Sequence, residues 1–356
     1  MDGGLDSFKT EYKQHTARKA LFILLCAVFA FVGMAVSVTI GGYDISMGRV
    51  YEVIWNHITG VELIPYTKEW YDDQVVWEWR LPRVLFVLVA GIGLAVSGVT
   101  MQSIMKNPLA EPYTTGVSSG AYFGVALSIA MGFSVMGSSG SAVDALIFAM
   151  IPVAVMLILT SRSSVGSVAT IILVGTALSY MFNAFSTLIL VSTDADTLAN
   201  VYKWQVGSFS DMDWADLEMV AAVVAVGSAV ILLLSKKLNI LSMGDENAIS
   251  LGLNIKRIRV VCLIVMAAMV AFIVAFSGII GFIGLVCPHI VRLIIGSDNR
   301  FVLPASAAFG AAFLLFADTI AKWMSSLDTV PVGVIASLVG APLFLFILIR
   351  NRREIW

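Results

Sequence analysis

VVCLIVMAAMVAFIVAFSGIIGFIGLVCPHIV, residues 260–291, runs for 32 residues without a formal charge. As a single helix it would extend about 48 Å at ~1.5 Å per residue, whereas the hydrocarbon core of a bilayer is about 30 Å thick. It is too long for one crossing. Ser277, Gly278 and Gly281 offer a place to turn, because small residues accept the backbone geometry of a tight connection, and the run divides into two spans. Eight further uncharged runs of at least 17 residues occupy 20–43, 84–105, 112–143, 145–161, 163–193, 219–235, 301–317 and 329–349. Together they predict an all-α membrane protein, a tightly packed bundle of about ten transmembrane helices in one domain, 1–356. The runs 112–143 and 163–193 are long enough to conceal a break as well. Composition agrees: hydrophobic residues make up 59% of the 356 and the mean hydropathy is +0.91, against about 45–50% apolar residues in soluble domains.

The first run follows a polar head, MDGGLDSFKTEYKQHTARK (1–19), and continues for 24 residues to Tyr43. The apolar region of a cleaved signal peptide spans only ~7–15 residues, so a retained first helix is expected. Cys26, Cys262 and Cys287 all lie within apolar runs, where packing is the expected role rather than a disulfide or a metal site.

Ten spans place both termini on one side of the membrane. With the N-terminus inside, sixteen of the 22 lysines and arginines fall on that face, among them Lys106, Lys236, Lys237, Lys256, Arg257, Arg259, Arg292, Arg300, Arg350, Arg352 and Arg353. Such an excess marks the cytoplasm. Residues 1–19 are then a cytoplasmic tail and 236–259 a cytoplasmic segment. The outer segments are acidic and hold six of the eight tryptophans, as expected of rings anchored at the headgroups.

Several activities are excluded. The chain contains no GxxxxGK[ST] phosphate loop, no HExxH and no GxSxG, and His15, His57 and His289 are scattered. No catalytic residue, metal site, cofactor or nucleic-acid partner is expected. Ion-coupled transporters carry ionisable groups at mid-membrane depth, and these spans hold few. His289 and Arg292, and Asp318 with Lys322 four residues on, sit toward helix ends, and the latter pair has the spacing of an ordinary helical ion pair. An ion-coupled secondary transporter and a membrane scaffold or receptor that never transports remain the rival classes.

Against this apolar background, SMGDENAISLGLNIKRIR (242–259) is a polar island between two spans. Gly244 and Gly252 bracket DENAISL, Asp245 and Glu246 suit a helix start, and Ala248, Ile249 and Leu251 could form a small apolar contact. Lys256, Arg257 and Arg259 would stay at the headgroups. Gly116, Gly120 and Gly124, and Gly278, Gly281 and Gly284, form small-residue rows that let helices approach closely in lipid. NPLAEPYTTG (107–116) reads as an interrupted helix entry, tolerated where it lines a cavity.

Four segments in order resemble one family, the FecCD-type membrane permeases of ABC importers for iron-siderophore, haem and cobalamin. They are RLPRVLFVLVAGIGLAVSGVTMQSIMKNPLAEPYTTGVSSGA (80–121), GDENAISLGLNIKRIR (244–259), SGIIGFIGLVCPHIVRLIIGSDNR (277–300) and PVGVIASLVGAPLFLFIL (331–348). From Arg80 onward they span about three quarters of the chain. The resemblance implies a multi-pass protein of the cell (inner) membrane that works as a homodimer. It also implies two partner ATP-binding cassette ATPase subunits and an extracytoplasmic substrate-binding protein, with a metal chelate, foremost an iron-siderophore, as cargo. It implies that Gly244, Asp245, Glu246, Ala248, Leu251 and Gly252 couple to the ATPase. Arg80, Arg83 and Lys322 are implied to dock the binding protein. Asn107 and Leu109 fall at the inner gate of the path, where a second segment aligns with Val168 and Ala169 in place of small polar residues.

Overall fold

The computed structural model describes residues 2–135, 140–162, 168–324 and 330–350. Arg352 and Arg353, counted above toward the cytoplasmic face, lie outside the described residues. The helices are α1 (Asp2–Thr39), α2 (Met47–Ile58), α3 (Lys68–Asp73), α4 (Leu81–Met105), α5 (Val117–Met131), α6 (Gly140–Arg162), α7 (Val168–Leu190) and α8 (Ala195–Gln205). They continue with α9 (Trp214–Leu233), α10 (Ser235–Ser242), α11 (Asp245–Ser250), α12 (Ile255–Ser277), α13 (Ile283–Ile295), α14 (Asn299–Met324) and α15 (Val332–Arg350). A π-helical stretch, Gln74–Arg80, leads into α4, and a 3-10 turn, Pro112–Thr115, leads into α5.

Ten of these are apolar. α1, α4, α6, α7, α9, α12 and α14 are long enough to cross a bilayer, while α5, α13 and α15 are shorter apolar helices. The run 260–291 divides where expected: α12 ends at Ser277 and α13 begins at Ile283. The polar head is helical from residue 2 onward. It continues through α1 without a break, and DSFKTEYKQHTARK (6–19) holds neither glycine nor proline. The run 112–143 does conceal a break, and its end is not a helix end: α5 stops at Gly132, and Asp144 is buried inside α6, where it accepts the Val135 N–H at 2.9 Å.

α4 is the hub, packed against α14, α9, α13 and α12. Its glycines set those distances. A Cβ on Gly91 would lie 2.5 Å from the Gly310 carbonyl oxygen of α14, and one on Gly98 would lie 1.9 Å from the Gly284 oxygen of α13. Of the expected row at 278, 281 and 284, only Gly284 is helical; Gly278 ends α12 and Gly281 lies in the connection.

α5 and α13 have only 15 and 13 residues, about 20 Å each at ~1.5 Å per residue, and each starts within the bundle. The chain from Lys106 to Gly116 turns back into the protein to reach α5. There the Tyr113 hydroxyl donates to the Ile280 carbonyl at 2.9 Å, and Glu111 accepts the Phe282 backbone N–H. Non-helical backbone at this depth survives because protein groups replace the missing water.

Candidate functional site

The polar island folds as one short helix, α11, and the first turn of α12, with the short α10 immediately before it. Gly244 (φ 117°) and Gly252 (φ 76°) adopt backbone conformations that side chains resist, and they set off α11 from its neighbours. Met243, Ile249 and Leu251 are 62–66% exposed, and Glu246 is exposed beside them. Ala248 departs from the expectation: it is wholly buried, its methyl packed toward the chain's own helices rather than outward with Ile249 and Leu251. On a six-residue helix one residue must seat the element on the bundle, and Ala248 does so.

Asp245 ties this segment to two spans. Its carboxylate pairs with Lys106 at the end of α4 (2.6 Å) and accepts from the Arg259 guanidinium of α12 (2.9 and 3.0 Å). Partial burial works against its charge, yet the Lys106 hydrogen bond and the Arg259 guanidinium outweigh it and hold the carboxyl below the usual range. Arg259 therefore does not sit at the headgroups as expected; it is buried against Asp245, while Lys256 and Arg257 are exposed. Neither Lys106 nor Arg259 stood out in the sequence as a partner. Asp245 and Arg259 are 14 residues apart, with no periodicity to join them.

At the outer end, the structure brings Arg80, Arg83 and Lys322 together around a cavity of about 510 Å³. Their charges face inward. Arg80 is buried and donates to the carbonyls of Val38 and Thr39 at 3.2 and 3.1 Å and to that of Tyr43, so it caps the end of α1 rather than facing outward. A helix C-terminus carries unsatisfied carbonyls, and a cation there is favoured. Arg83 donates to Asp318 from Nε at 3.1 Å and Nη2 at 2.7 Å. Lys322 pairs with the same carboxylate at 2.9 Å and donates to Ser37 at 3.1 Å. The Asp318–Lys322 helical pair is thus present, with Arg83 as a third member.

At the inner end, Asn107 and Leu109 are exposed directly after α4. Asn107 Oδ1 accepts the Leu109 N–H at 2.9 Å, a local turn made possible by the left-handed Lys106 (φ 52°). Val168 and Ala169 open α7, the first half-buried and the second exposed. The Pro112–Thr115 turn that follows the Asn107 segment packs on α7 at Gly175, about two turns beyond Val168 and Ala169. A shallow groove of about 710 Å³ lies between α8, the 279–281 connection and α15. Tyr202, Gln205 and Ser337 line it with polar groups among apolar side chains such as Ile279 and Leu338.

A many-span bundle with half-crossing helices and an exposed cytoplasmic segment tied to its hub is the architecture of a transporter's membrane subunit. The chain belongs to the FecCD transport family, whose model matches residues 26–350. It is similar to the molybdate import system permease protein MolB of Haemophilus influenzae, with 33% identity over 89% of this chain and 92% of the relative. It is also similar to the hemin transport system permease protein HmuU of Yersinia pestis, with 34% identity over 94% and 96%. Among solved structures it resembles an inward-facing transporter described as of the metal-chelate ABC type, with a TM-score of 0.79 and 30% identity over 92% of this chain and 98% of that one. The protein is an ABC importer permease of the type II fold, a multi-pass protein of the inner membrane.

Proposed function

We propose that this permease works as a homodimer, with two ATPase subunits on its cytoplasmic face and a substrate-binding protein outside, and that it imports a metal chelate, foremost an iron-siderophore. The observation that carries the reading is the α10–α11 segment. It offers Met243, Ile249 and Leu251 to the cytoplasm while Asp245 links it to α4, whose end leads into Asn107 and Leu109. ATP-driven movement of a partner seated there would reach the inner gate directly. The weakly polar groove along α8 and α15 supports a path that leaves cargo choice to the binding protein. Relatives named for hemin and for molybdate fit the same division of labour, and haem or cobalamin is the alternative cargo.

The test is purification of the tagged chain from its native membrane in a mild detergent. A P-loop ATPase should accompany the wild type in equal amount and be lost from Ile249→Asp/Leu251→Asp. Reconstituted with its partners, the chain should import a ferric siderophore only with ATP. A bare homo-oligomer whose uptake needs no ATP and collapses with the ion gradient would establish the secondary-transporter reading instead.

A further inference from the structure

A second feature of the cytoplasmic end is a cleft of about 750 Å³ between α1 and the turn joining α13 to α14. His15, Arg18, Lys19 and Phe22 line it from α1, a spacing of i, i+3, i+4 and i+7 that places them on one helical stripe. Ile294, Asp298, Arg300 and Phe301 line the opposite side. Asp298 is the one carboxylate among these lining residues, and its charge is already engaged. Arg300 donates to it at 2.6 and 3.0 Å and Asn239 at 2.7 Å. Arg18 and Lys19 make no ion pair among the described residues, and the Lys19 ammonium lies 5.0 Å from the centre of the Phe301 ring. The cleft therefore presents an excess of cationic charge above an apolar floor.

Its depth is set by the sequence. Arg18 and Lys19 immediately precede the uncharged run 20–43, and Arg300 immediately precedes the run 301–317. Three cations from two helices thus converge at the level where hydrocarbon gives way to headgroups, on the face that the lysine and arginine distribution assigns to the cytoplasm. Below them, Phe22, Ile294 and Ile295 line the cleft, and Ile294 is more than half exposed. Anionic lipid is enriched in the cytoplasmic leaflet, and clustered lysine and arginine at this level attract it.

We infer that this cleft binds the phosphate of an anionic phospholipid of the cytoplasmic leaflet, with Arg18 and Lys19 as its ligands and Phe22 and Ile294 supporting the upper acyl chains. A free phosphate shares the charge chemistry but leaves most of the cavity and all of the apolar floor unused.

The experiment uses the full chain in a neutral detergent, with native mass spectrometry counting bound molecules. Dioctanoyl phosphatidylglycerol, dioctanoyl phosphatidylcholine and inorganic phosphate are titrated separately. The wild type should bind phosphatidylglycerol saturably, while phosphatidylcholine and phosphate should not bind at the same concentrations. Arg18→Gln/Lys19→Gln should bind phosphatidylglycerol about 30-fold more weakly, given the usual contribution of two basic residues at a membrane surface. Lys236→Gln/Lys237→Gln removes the same charge from exposed positions elsewhere on that face and should bind as the wild type does. Should the first double variant lose the wild-type thermal transition, Arg18→Gln and Lys19→Gln singly are each expected to weaken binding about fivefold. Equal affinity in the cleft variants, an equal loss in the Lys236 and Lys237 variant, equal binding of phosphatidylcholine, or equal binding of inorganic phosphate would each overturn the assignment.

Discussion

Asp245→Asn keeps the shape of α11 and removes the charge that ties it to two spans. The Lys106 contact is 2.6 Å, but the Asp245 side chain is 41% exposed. Solvent screens such a pair to ~0.5–1 kcal/mol. The Arg259 side chain is only 8% exposed, and a charge-assisted hydrogen bond from a buried guanidinium is worth about 1.5–2 kcal/mol. The node therefore holds about 2–3 kcal/mol, which is small beside the packing of the bundle and large beside ~1.4 kcal/mol per tenfold in an equilibrium. If the node transmits motion between the ATPase and the gate, its loss should raise ATP hydrolysed per cargo imported by at least about tenfold. Hydrolysis itself should change less than about twofold. The assay is simultaneous cargo uptake and phosphate release in proteoliposomes that contain all the partners. Asp245→Glu, which keeps the charge, should restore most of the coupling. An unchanged ratio in Asp245→Asn would refute the reasoning, and so would loss of the assembled complex, since either outcome removes transmission as the role of this carboxylate.

Arg80→Gln leaves carbonyls at the end of α1 without their donor and should cost about 2–4 kcal/mol, measured as a lower thermal transition in detergent. The association rate of the binding protein should change little; a slowed association with unchanged stability would return Arg80 to a docking role. Gly98→Ala forces a methyl to within 1.9 Å of the Gly284 oxygen and should destabilise by ~3 kcal/mol or more, seen as loss of folded chain, whereas Gly42→Ala, with nothing within 4 Å, should be neutral. Hydrogen bonds from Arg300 outweigh partial burial and, aided by Asn239, hold the Asp298 carboxyl down at about 2. A depressed carboxylate contributes stability above its unfolded pKa, here about 2 kcal/mol, and that contribution fades only as pH falls from ~4 through ~2. Asp298→Asn should remove it near neutral pH, and equal unfolding midpoints for the two proteins at pH 7 would refute this.

Helix number was legible because crossing a bilayer is a matter of length and charge, and 260–291 could not be one span. Depth was not. The run 112–143 looks like lipid-spanning sequence throughout, yet part of it is a re-entrant turn and part a half-crossing helix, since buried backbone and lipid-facing backbone draw on the same apolar residues. The candidate site divides in the same way. The glycines at 244 and 252 announce their turns locally. The direction of Arg83 depends on Asp318, 235 residues away, and no local pattern encodes it. Ala248 was misplaced because six residues make fewer than two turns, too few for periodicity to separate a seated side from an exposed one.

The ionic contacts of α4 also differ at its two ends. At the outer end, Arg83 meets Asp318, which is fully buried and also pairs with Lys322, a residue bonded in turn to Ser37 of α1. Breaking that node strands a charge away from water, a cost of about 3–5 kcal/mol. At the inner end, Lys106 meets Asp245, where both partners reach solvent and separation costs far less. A load passed from α11 to α4 through the inner contact would therefore shift the cytoplasmic end of α4 and the attached Asn107 turn while the costlier outer node keeps the helix held to α1 and α14. This asymmetry fits the proposed drive from the cytoplasm: the solvent-exposed contact lies at the segment that would receive it, and the costly one holds the outer end of the same helix.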